Sequence, residues 1–217
     1  MGDAHHSELI AQAAKLHLGA AGFRRKGRSR LWYKDNRWWL AVVEFQPSAW
    51  SCGSYLNVAA MWLWNAKSSW SFDEGGRVAE QFHKFENPVQ FRVEAEKLAT
   101  RAKNEALVFC ERFSSVALVE LHLKAKPTDS LWGNYHAAMA ALAVGDLKQA
   151  RDRVSLIAAA DEHAPWVSEL KVKSAAFIAR AATGAQPREV VSHEITIARA
   201  ALKLPTVEPS FLWEPAR

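Results

Sequence analysis

The chain has 217 residues, 49% apolar and 24% charged, which is enough apolar material for a folded core and excludes a disordered polar chain. No run of about 18 apolar residues occurs, so no membrane-spanning helix is expected. The formal net charge of +5 is local: residues 1–46 hold eight Lys and Arg against four Asp and Glu, whereas residues 47–217 hold twenty against nineteen.

The opening stretch carries acids and histidines and lacks the basic-then-apolar order of a secretion signal. Ser7 lies one place too far along for a myristoylation pattern. Cys52 and Cys110 stand in unrelated contexts at no metal spacing and read as reduced thiols. These features together predict a cytoplasmic protein without a cofactor.

In chain order, Leu9, Ile10, Ala13, Leu16 and Ala20 recur at helical spacing, so residues 4–21 are expected as a helix that Gly22 stops. A β-rich stretch follows. "LWYK" is short and β-prone, Asp35-Asn36 signals a turn, and "RWWLAVVEFQ" runs to Pro47. "YLNVAAMWLW", residues 55–64, makes a third strand, with Leu56, Val58, Ala60, Trp62 and Trp64 on one face. "SWSF" at residues 69–72 is a candidate fourth strand, and "DEGG" then reads as a turn.

From there the pattern is helical, beginning with a stripe of Val78, Phe82 and Phe85. Asn87-Pro88 opens a helix of about 25 residues, with Asn as N-cap and Gln90 three places on. Further helices are expected at about 115–126, 130–144, 146–162, 165–183 and 187–203, each break set by a local Gly or Pro. "AALAVGDLKQARDRV" resembles the inner part of a tetratricopeptide repeat, although no second copy follows. In the Pro-rich tail, Phe211, Leu212 and Trp213 are expected to dock. The fold class is therefore α+β: an N-terminal helix, an antiparallel meander of three or four strands, long helices packed on one face, then an all-helical unit. The division falls at 1–126 and 127–217.

Seven of the ten tryptophans lie between Trp32 and Trp70. Most are expected to be core, since aromatics bury so much area. Trp38 and Trp39 are adjacent in a strand and must point to opposite faces, so Trp39, with Trp50 and Trp70, is a candidate for an exposed patch. "RRKGRSR" sets Arg24, Arg25, Lys26, Arg28 and Arg30 within seven residues, a cluster that can hold phosphates or steer an acidic partner. Its plainer reading is a solvated loop. Glu44 stands among apolar residues and is expected to pair with an arginine such as Arg25 or Arg30. The eight histidines are dispersed and form no metal motif, and no phosphate loop or nucleophile elbow occurs.

Three separated elements carry a family resemblance: Gly22 to Arg28 ("GFRRKGR"), then Phe45, Gln46, Ser48 and Trp50 in "EFQPSAW", then Ser54 to Val58 ("SYLNV"). In this order they resemble the bacterial domain of unknown function 4304 family over roughly residues 8–125. The tryptophan load around Trp62 to Trp70 and the helical extension depart from that pattern. The family name carries no established activity. By analogy with other small bacterial domains, it implies a protein-binding role of the immunity or adaptor type. The expectation is thus a non-catalytic module using Trp39, Trp50, Trp70 and the Arg24–Arg30 loop to bind an acidic protein. Nucleic-acid binding through the same loop is the second reading.

Overall fold

The computed structural model describes residues 2–78 and 82–214. The chain is α+β and forms two compact units. One takes the chain up to Met61 together with Trp70–Glu111; the other takes Trp62–Ser69 and the chain from Arg112 onward.

In the first unit, helix α1 (Gly2–Ala20) precedes strands β1 (Arg24–Arg25), β2 (Leu31–Asp35), β3 (Trp39–Gln46), β4 (Gly53–Trp62), β5 (Glu74–Arg77) and β6 (His83–Lys84). The sheet order is β1-β2-β3-β4-β5, with β6 pairing beside the start of β4. The expected β2–β3–β4 meander is present, and short strands extend it on both sides. The β2–β3 turn uses Asp35 Oδ1 to accept the Arg37 N–H at 2.8 Å. In β3 and β4, side chains of both faces are sealed: Trp39 to Val43 and Leu56 to Met61 are all buried. That suits their near-continuous apolar sequence.

Two expectations are corrected here. "SWSF" is not a strand; the strand comes shortly after it, at Glu74–Arg77. The Val78–Phe85 stripe is not a helix either: β5, β6 and the extended chain around them occupy the described part of this segment, and residues 79–81 lie outside the described residues. The reason lies across the sheet. Gly75 and Gly76 adopt φ of +98° and +150°, and a Cβ on Gly75 would stand 2.6 Å from the Val58 carbonyl oxygen and 2.8 Å from Phe109 Cζ. The glycines let β5 close onto β4. Phe82 then packs against Tyr55, and Phe85 meets Phe91 edge-on.

Helix α2 (Pro88–Arg112) starts where the sequence places it. Asn87 Oδ1 accepts the N–H groups of Val89 and Gln90. Two histidines hold α2: His17 of α1 donates to Glu96, and His83 of β6 to Glu94 at 2.9 Å.

The second unit holds α3 (Val116–Lys124), α4 (Leu131–Val144), α5 (Leu147–Ala158), α6 (Pro165–Ala182) and α7 (Pro187–Ala201). Ser115, Ser130 and Asp146 cap α3, α4 and α5 through their side-chain oxygens. Every residue of α4 from Asn134 to Ala143 is buried, so it is the central helix, and α3, α5 and α7 pack against it. Trp62 stacks on Trp64 at 5.2 Å and meets Phe113 edge-on. The Trp64 indole donates to His136 Nδ1 at 3.1 Å, and Tyr135 Oη donates to the Trp64 carbonyl. Burial pushes the Lys173 ammonium down; nearby Glu194 opposes this and Lys67 adds to it. Its Nζ donates to Asn65 at 2.9 Å. In the tail, Leu212 is buried and Trp213 donates to Ser192, whereas Phe211 stays half exposed.

Two outcomes test this account. Gly75→Ala should lower stability by about 2 kcal/mol or more, since it adds both a clash and a strained φ; the shift in urea midpoint checks it. Glu94 is held below the usual carboxylate range, chiefly by the His83 hydrogen bond and then by Lys97. A carboxylate with a depressed folded pKa stabilises the protein above its unfolded pKa and loses that effect as pH falls through the folded value. Glu94→Gln should therefore flatten the acid limb of a stability-versus-pH curve by lowering its neutral and alkaline level, while the two proteins converge at pH below the folded pKa.

Candidate functional site

The basic segment is a hairpin turn. Arg24 pairs with Tyr33 and Arg25 with Trp32. The Lys26 N–H donates to the Leu31 carbonyl and the Ser29 N–H to the Lys26 carbonyl. Gly27 takes the left-handed φ of +53° that the turn requires. Arg25 folds back on the turn, its Nε donating to the Ser29 carbonyl at 2.6 Å and its Nη2 to the Arg28 carbonyl at 2.8 Å.

Arg30 turns inward. Its guanidinium donates to the Gly53 carbonyl at 3.0 Å, to Ser7 Oγ at 2.6 Å and to His6 Nε2. A guanidinium can only donate, so His6 Nε2 is the acceptor in this contact. Arg30 thus ties α1 to the head of β4. Of the five cations, Arg25 and Arg30 hold the fold together through these bonds; Arg30 is part-buried, while Arg24, Arg25, Lys26 and Arg28 are exposed.

Lys26 Nζ sits 4.8 Å above the ring of Trp70, and Trp70 lies 5.1 Å from Tyr33. The loop between β3 and β4 carries Trp50, which is 94% exposed; its N–H donates to Ser48 Oγ at 3.1 Å. This loop and the basic turn lie at the same end of the sheet. The Phe45 N–H donates to the Arg30 carbonyl, and Arg30 donates to the Gly53 carbonyl.

The structure therefore sets Trp50 at the same end of the sheet as Arg24, Lys26 and Arg28, seats Lys26 on a part-buried Trp70, and removes Trp39. That tryptophan is only 1% exposed. The expectation of a surface position for it is corrected: alternation exposes one of two adjacent tryptophans only when one sheet face is wet, and here neither is.

A polar strip crosses the sheet beside this cluster. Asn57 Nδ2 donates to Glu44 Oε2 and to Gln46 Oε1, each at 2.9 Å. Arg77 Nη2 also donates to Gln46 Oε1 at 2.9 Å, and its guanidinium covers the Tyr55 ring at 4.0 Å. The expected pairing of Glu44 with Arg25 or Arg30 is thus replaced by a neutral amide. Sequence reasoning misses Asn57 and Arg77. The signal for Asn57 is present: a lone amide inside "YLNVAAMW" needs hydrogen-bond partners when buried.

The strip sets no nucleophile against a base. Burial pushes the Cys110 thiol up, against smaller effects of Lys34 and Asn36, so it is a poor thiolate. Among the described residues no group of three His, Cys, Asp or Glu could hold a metal ion, and no helix is long and apolar enough to cross a membrane. The arrangement can offer an aromatic anchor and uncompensated cations, which is binding chemistry. No family model matches the chain, and no curated protein or solved structure does.

The burial contrast gives a direct check. Trp39→Ala should cost about 3–5 kcal/mol of stability as a core truncation, and Trp50→Ala should change it by less than about 0.5 kcal/mol. Chemical denaturation of the two variants compares them.

Proposed function

We propose that this bacterial-type chain is a non-catalytic protein-binding module that works in the cytoplasm. It belongs with the immunity or adaptor proteins suggested by its resemblance to the domain of unknown function 4304 family. The observation that carries the reading is Trp50, 94% exposed on a loop at the same end of the sheet as the exposed cations Arg24 and Arg28. Exposed tryptophan and arginine are the residue types that dominate binding hot spots. An indole in water gains on burial against a partner, and the cations steer an acidic surface toward it. Trp70, with Lys26 seated on its ring, extends the contact area.

The test is capture of the partner on immobilised protein from a source-organism lysate, with and without nuclease, followed by affinity measurement. A stoichiometric protein that survives nuclease is expected. Trp50→Ala should weaken its binding at least tenfold, by about 1.4 kcal/mol or more. The double variant Arg24→Glu, Arg28→Glu should slow association and reduce its salt dependence. Unchanged affinity in both variants would overturn the assignment. Bound material that disappears with nuclease would make nucleic acid the ligand of the basic turn.

A further inference from the structure

A second recognition element lies on the other side of the basic turn. An open groove of about 570 Å³ runs between α1 and the β1 edge. Phe23 and Trp32 form its apolar floor, both nearly buried. Gly19 of α1 forms part of its wall, and space beside Gly19 is empty: a Cβ there would meet nothing within 4 Å. Lys15, Arg24 and Arg25 stand on its rim, and no carboxylate is among the residues lining it. An apolar trough bounded by three cations is complementary to a ligand that is apolar along its length and anionic at its sides.

The wall on one side is a sheet edge. β1 is the outermost strand, and the Lys26 N–H donates to the Leu31 carbonyl. In an antiparallel pair, bonded and outward-facing residues alternate. The N–H and C=O of Arg25 therefore face away from β2, toward any chain laid along the edge. Backbone pairing at an edge, with side-chain pockets beside it, is a recurrent way of gripping an extended peptide.

We propose that this groove binds an extended acidic segment of the protein partner, with apolar side chains inserted toward Phe23 and Trp32 and flanking carboxylates on Lys15, Arg24 and Arg25. The proposal rests on the protein-binding reading and names the chemistry of what is bound. Arg24 then both attracts and orients the segment, because a carboxylate held bidentately by a guanidinium gains strength and direction together, while Arg25, folded onto the Ser29 and Arg28 carbonyls, contributes its charge. An open trough suits a peptide better than a small ligand, which needs enclosure on most of its surface.

The probe is the blocked octapeptide of alternating glutamate and leucine, titrated into isotope-labelled full-length protein and followed by amide and indole NMR shifts. A second titration uses the peptide with glutamine in place of every glutamate, and a third uses dodecanoate. Shifts are expected at the Trp32 indole and at the Gly19 and Arg25 amides. Gly19→Leu fills the groove from a helical position with free space, and replaces a helix-weakening glycine, so the fold persists; it should reduce peptide affinity at least tenfold. The glutamine peptide should bind at least fivefold more weakly. Trp50→Ala should leave peptide binding unchanged, which separates this site from the Trp50 surface. Equal binding by Gly19→Leu, equal binding of the two peptides, or binding of dodecanoate alone would overturn the proposal. The Trp50 reading stands or falls separately, on affinity for the captured partner.

Discussion

Strands β3 and β4 run through apolar surroundings on both faces, and the rest of the first unit follows from that. A strand sealed on one face can place every second side chain in water. Here Trp39 to Val43 and Leu56 to Met61 leave no such outlet. Aromatic residues in these strands are interior by necessity, and any polar group there must find a partner in the sheet. Asn57 does so through Glu44 and Gln46, and Gln46 also accepts from Arg77. What remains for recognition is the periphery: the β1 edge, the 26–30 turn and the loop that carries Trp50.

That periphery is ordered by its own arginines. A lysine ammonium is a point donor, whereas guanidinium presents a fork of N–H groups. Arg30 uses the fork to hold Ser7, His6 and the Gly53 carbonyl together, and Arg25 uses it to close the turn on two carbonyls. Side chains immobilised in the free protein do not have to be immobilised again on binding. Two cations thus hold a frame from which Arg24, Lys26 and Arg28 project.

How much of this is readable in the sequence depends on distance. The helices from α2 onward start and stop on local chemistry: Asn87-Pro88, Ser115, Ser130, Asp146, Pro165 and Pro187 each act within one turn of their own position. Strands β2 to β4 are legible for a similar reason, through β-prone runs closed by a turn or a proline. β5 is not, because the requirement for glycine at Gly75 comes from the Val58 carbonyl and Phe109, which are distant in sequence. The two-residue β1 is charged, and only its pairing with Trp32 and Tyr33 makes it a strand. For the site, the exposure of Trp50 follows from its place after Pro47 in a turn-rich stretch. The burial of Trp39 is legible in the uninterrupted run of apolar residues behind it, which signals a strand covered on both sides. The alternation argument alone points the wrong way.

The partnering of Glu44 leaves the donors of the basic turn without a carboxylate in contact. A salt bridge from Glu44 to the basic turn would have occupied the donors of one of its cations. The carboxylate instead takes an amide hydrogen of Asn57, and Arg25 takes only carbonyl oxygens. Among the described residues no carboxylate pairs with Arg24, Arg25, Lys26 or Arg28. Their field therefore reaches solvent, reduced by the dielectric response of water and screened by salt over about 8–10 Å at physiological ionic strength. An excess of cations at one corner of a chain that is otherwise near neutral acts as a directional field. It orients an acidic partner toward Trp50 and the β1 edge before any contact forms.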